Sequence, residues 1–119
     1  MTLSATELKD LELALADRLY LQVAGWHLYL GDAGLAQALA IECAARLGEG
    51  TAICARQALE AVLVPIGNGS TRLPLARLVP AGQLQDLEEV LLEVLDKHLL
   101  EQLILEAVVE VHLVAGLLV

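Results

Sequence analysis

Residues 83–103, QLQDLEEVLLEVLDKHLLEQL, decide the class of the fold. Leu84, Leu87, Leu91, Leu95, Leu99 and Leu103 recur every three or four residues, while Asp86, Glu89, Glu93, Asp96 and Glu101 fall on the other side. That period predicts a strongly amphipathic final helix. Beyond Leu103 the pattern changes. Glu106, Glu110 and His112 are the only ionisable side chains of a valine-rich run that ends at Val119. Valine suits strands as well as helices, so both readings of residues 105–119 stay open. The run is too short and too charged for a membrane span, which needs about 20 largely apolar residues. Burial by the domain or by a second copy of it is the expected fate of this extension, which begins at about residue 104.

Upstream, Val62–Ile66 and Thr71–Leu75 are two β-rich runs flanking Gly67-Asn68-Gly69-Ser70, which predicts a β-hairpin. Pro65 and Pro74 cannot donate ladder hydrogen bonds and hold it to two short strands. Leu75, Leu78 and Val79 lead the chain back to the core, and Pro80 and Gly82 mark the break before the last helix. Before the hairpin, Thr51 is placed to cap a third helix carrying Ile53, Ala55, Ala58, Leu59 and Val62. An alanine-rich second helix is expected over Ala33–Leu47, with Gly48 ending it. At the N-terminus, Ser4-Ala5-Thr6-Glu7 reads as a capping box with Leu3 and Leu8 as its hydrophobic staple. Leu8, Leu11, Leu15, Leu19, Val23, Trp26 and Leu30 then fit one continuous helix of about 25 residues. Gly31 is positioned to end that helix and Asp32 to cap the next. The expectation is a mainly α, single helical domain over residues 1–119: four helices, with one short β-hairpin between helices 3 and 4.

Composition sets the outer limits. Leucine and alanine fill 47 of 119 positions and there is no phenylalanine, so the core must be aliphatic. A hydrophobic fraction of 57% excludes a disordered chain. Sixteen acids against seven bases give a net charge of −9, the wrong sign for attracting a phosphate backbone, so nucleic acid is not an expected partner. Only residues 51–81 are basic, with three arginines against one glutamate. MTLSATELKD lacks the charged and apolar regions of a secretory signal, which makes the cytoplasm the expected compartment. Cys43 and Cys54 match no zinc or redox spacing. Reduced, buried thiols are expected, and a helical turn at Gly48-Glu49 would let them face each other.

The densest group of chemically capable residues is Trp26-His27-Leu28-Tyr29-Leu30-Gly31-Asp32. A histidine beside a carboxylate can act as a general base. The same residues serve equally well as a core anchor, a wet tyrosine and a helix cap. No nucleophile or metal partner completes a catalytic set, and His27, His98 and His112 have no ligand spacing, so no catalytic residue, cofactor or metal is expected. Gly67–Ser70 with Arg72 can cradle an anion, or simply form a turn.

The strings WHLYLGDA (Trp26–Ala33) and LPLARLVP (Leu73–Pro80), followed by the leucine-rich last helix, resemble a family of small uncharacterised cyanobacterial proteins over roughly residues 7–97. That resemblance implies a cytosolic protein and supplies no site residue. The leading expectation of function is a non-enzymatic protein–protein interaction or adaptor protein that self-associates through Leu91, Leu95, Leu99, Leu103, Val111 and Leu113. The alternatives are a small-molecule binder or enzyme with a pocket near Trp26, His27, Tyr29 and Asp32, closed by Arg72, and peripheral membrane attachment through the C-terminal tail, which acidic charge disfavours.

Overall fold

Leu19, Leu21 and Val23 alternate with Tyr20 and Gln22, and Trp26, Leu28 and Leu30 alternate with His27 and Tyr29. This period of two competes with the helical period over the same residues, and in the computed structural model, which describes residues 2–118, it prevails. Helix α1 runs only over Ala5–Arg18. It is followed by strands β1 (Tyr20–Val23) and β2 (Trp26–Tyr29), paired antiparallel with Tyr20 opposite Tyr29 and Val23 opposite Trp26. Ala24 and Gly25 turn the chain with φ of 50° and 84°. Positive φ at both central residues is the two-residue hairpin turn whose twist matches the strands. The expected 25-residue first helix is therefore corrected to a helix and a hairpin. A continuous helix would also have put Gly25 in its interior at about 1 kcal/mol.

The chain continues through α2 (Leu30–Ala33), α3 (Ala36–Ala44), a 3-10 turn at Leu47–Glu49 and α4 (Thr51–Ala61). The second expected helix is thus broken into shorter pieces. The left-handed break is Gly34 at φ 72°, not Gly31. Gly31 sits inside α2 against α1, where a Cβ would lie 2.9 Å from that of Ala16. Asp32 caps nothing, since Leu35 occupies the N-cap of α3, and Gly50 rather than Thr51 precedes α4. Small residues account for the close packing of α3 with α1 and α4: Ala36, Ala40, Ala55 and Ala58 are all buried. Leu11, Leu15, Leu39, Leu75, Leu87 and Leu91 fill the space between them.

Strands β3 (Leu63–Ile66) and β4 (Thr71–Pro74) form the expected hairpin, with Val64 opposite Leu73. A 3-10 turn, Leu75–Arg77, then delivers Leu75 into the core, where its amide donates to the Val62 carbonyl at 2.7 Å. Helix α5, Gln83–Leu118, spans 36 residues, about 54 Å at 1.5 Å per residue. The region after Leu103 is helical as far as it is described; Val119 lies outside the described residues. The fold is mainly α, with five α-helices and two short hairpins among the described residues where four helices and one hairpin were expected.

Candidate interaction site

Helix α5 has two halves with opposite surroundings. In the first, Leu87, Val90 and Leu91 are fully buried against α1 and α4. Arg18 of α1 pairs with Glu93 at 2.8 Å and reaches Glu89 at 4.0 Å, and Lys97 pairs with Asp10 at 3.6 Å. The last attachment is His98, whose Nδ1–H donates to Glu7 Oε2 at 2.5 Å. Glu7 Oε1 meanwhile accepts from the Ser4 amide at 2.9 Å, and the Ser4 hydroxyl accepts from the Glu7 amide, so the expected capping box is present. The Ser4 amide above all, then the His98 ring, holds the Glu7 carboxyl below its ordinary range, against the opposing effect of burial.

Past His98 every residue from Leu99 to Gly116 is exposed. At 100° per residue, Leu100, Ile104, Ala107, Val111 and Val114 share an arc of about 80°, about half a turn around the helix from the face of Leu84, Leu87, Leu91 and Val94. A second apolar face has opened there. Its 4-3-4-3 spacing is that of a helix-pairing seam. Leu105, Val109 and Leu113 continue the face of Leu87 and Leu91, so polar residues occupy only the positions around Glu101, Glu106, Glu110 and His112. Of the residues expected at an interface, Leu103, Val111 and Leu113 are 63%, 66% and 64% exposed, Leu99 is exposed and Leu95 half-buried. Leu91 is corrected: it is a core residue with no exposed surface to offer a partner.

The aromatic string does not assemble as one pocket. Cross-strand neighbours share a face of a hairpin, so Tyr20, Gln22, His27 and Tyr29 lie on one side and Trp26, Leu28 and the buried Leu21 on the other. His27 stacks on Tyr20 with ring centroids 3.9 Å apart, and Tyr29 meets both edge-on. Trp26 is 75% exposed at the turn. Asp32 is exposed on α2, and Arg72 is exposed on the other hairpin, in β4. Alternation along a two-residue hairpin separates the indole from the imidazole.

A groove of about 990 Å³ opens elsewhere, between α4, the segment after β4 and the first turn of α5. Ile53, Val79 and Leu84 line it, with Arg46 and Arg56 alongside. Among the described residues no group of three or more histidine, cysteine or carboxylate side chains comes together to hold a metal ion. No described helix is long and apolar enough to cross a membrane. Cys43 and Cys54 do meet across the helical hairpin: the Cys54 thiol donates to the Cys43 carbonyl at 3.1 Å. The adjacent Cys54 thiol and burial in apolar surroundings push the Cys43 thiol well above its ordinary range.

Residues 8–94 match DUF3181, a family described as a protein of unknown function. The chain belongs to the DUF3181 family. The match takes in most of α1, both hairpins, the groove and most of the buried half of α5, and it stops at Val94, so the exposed half of α5 lies outside the DUF3181 span. No curated protein and no solved structure matches the chain.

Two site features carried little sequence signal. The Glu7–His98 contact joins residues 91 positions apart, and nothing in either neighbourhood announces the other. Gln83, buried at 5% exposure, accepts from the Tyr20 amide and donates to Asp86, tying the first hairpin to the start of α5. The groove arises from three segments that only the tertiary fold brings together.

Proposed function

We propose that this chain is a non-enzymatic interaction protein whose partner is a second copy of itself, gripped through the distal half of α5. One observation carries the reading: from Leu99 to Gly116 a helix that is apolar on most sides stands clear of its own core. A helix of that character is stable in water only when something covers it. Protein suits it better than lipid as a cover. Interfacial helices bring lysine and arginine to anionic headgroups, whereas no lysine or arginine follows Lys97 and Glu101, Glu106 and Glu110 are acidic. A single chain offers the same seam to each of two copies, which is what a symmetric pair requires.

Light scattering on the full chain at micromolar concentration is expected to give a mass above that of one protomer. Leu103→Glu combined with Val111→Glu is expected to return it to a monomer. A monomeric wild-type chain at 100 μM or so (about the weak end of useful self-affinity) would end the proposal. So would retention of the double variant's mass together with wild-type binding to neutral vesicles, which would move the helix to a membrane surface.

A further inference from the structure

We infer that the groove bearing Arg46 and Arg56 is the seat for the distal half of a second copy's α5, taken reciprocally, so that two chains close a dimer by exchanging their C-terminal helices. The inference rests on the proposed self-association and adds where on the partner the helix lands.

Size agrees first. Two turns of a helix about 10 Å across and about 11 Å long occupy about 850 Å³, against about 990 Å³ in the groove. Its wall chemistry agrees as well. Ile53, Val79 and Leu84 supply an apolar floor. Arg56 is in no ion pair among the described residues, and Arg46 commits one guanidinium nitrogen to Glu42, leaving the others for a second acceptor. Glu60 also lines the groove, so the arginines exceed the acids there by one. Residues 51–81 are the only net basic stretch of an acidic chain. The distal half of α5 has the complementary character, with exposed leucine and valine, three glutamates and no lysine or arginine.

Geometry closes the argument. The groove takes Leu84 from the first turn of α5, and the unpartnered surface lies at the other end of the same helix. When two 36-residue helices lie antiparallel in full register, the last turns of each reach the first turn of the other, and the centre of the pair falls between Leu100 and Glu101. Leu92, exposed next to the buried Leu91, then falls opposite Val109 of the second copy. Repulsion along the pair is limited because Arg18 already engages Glu89 and Glu93, and Lys97 engages Asp10.

The test is sedimentation equilibrium of full-length chains carrying Arg56→Glu, Glu110→Arg, or both, with circular dichroism confirming that each is folded. Either single change is expected to weaken the dimer at least tenfold, because the exposed charge on one wall then meets its like. The double variant is expected to recover most of the loss, because each chain again offers opposite charges to the other. If Arg56→Glu leaves the dimer intact while Leu103→Glu with Val111→Glu dissolves it, the groove is not the seat and self-association proceeds through another surface. A wild-type species larger than two chains likewise overturns reciprocal exchange, and a wild-type monomer overturns both readings.

Discussion

Glu7 works at two places at once: one carboxylate oxygen closes the N-terminal cap of α1 and the other receives His98 from the middle of α5. Its replacement by glutamine removes the charge from both. Glu7→Gln is expected to lower unfolding stability by about 1 kcal/mol at neutral pH, the usual worth of a cap. The carboxyl is held below its ordinary range in the folded chain, so its contribution is present above the unfolded-state value and disappears as pH falls through the folded one. Urea titrations at pH 7 and pH 3 should therefore show a gap between variant and parent that narrows in acid. Gly31 is a residue of another kind, kept small because α1 leaves no space. Gly31→Ala puts a methyl 2.9 Å from the Ala16 Cβ and 3.2 Å from its carbonyl oxygen. Overpacking of this sort costs about 1–3 kcal/mol, and the melting temperature should fall accordingly. Cys43, buried and raised, should resist iodoacetamide at pH 8 until denaturant is added; prompt native labelling would contradict the packing described for the helical hairpin.

At the scale of elements, the first hairpin shows where local pattern divides. Leu19, Val23, Trp26 and Leu30 satisfy helical spacing, and they satisfy strand alternation as well once Leu21 and Leu28 are included. Ala24-Gly25 resolves the tie, but alanine is a helix former that rarely takes positive φ, so the turn is quiet in sequence. The second hairpin, with glycines at 67 and 69 in the left-handed region, was plain by contrast. Ala24→Asn should accordingly stabilise the protein by about 0.5–1 kcal/mol, since Asn-Gly is the preferred pair for this turn, and a guanidinium melt will measure it. The capping box, the third helix and the last helix were legible because each rests on contacts within four residues. The break at Gly34 was not, because the expected alanine-rich helix runs through it without a change of period.

Over the whole molecule, sequence density of leucine points to α5 as the seat of interaction and predicts one stripe from Leu84 to Leu103. Burial separates that helix into two: Leu91 belongs to the core, while Leu103, Val111 and Leu113 face solvent. Side choice depends on where the globule ends, at His98, and that is a tertiary fact. The pocket expected around Trp26 shows the same limit, since nearness in the chain placed indole and imidazole on opposite sides of a ribbon. The molecule measures 68 × 22 × 20 Å. From His98 to Gly116 the helix projects by about 27 Å at 1.5 Å per residue, held at its base by one histidine and one lysine contact. A shaft fixed at its root works as a lever: a tilt of about 5° at the base carries the tip about 2.4 Å on these dimensions, so loosening the Glu7 anchor should register farthest from where the change is made.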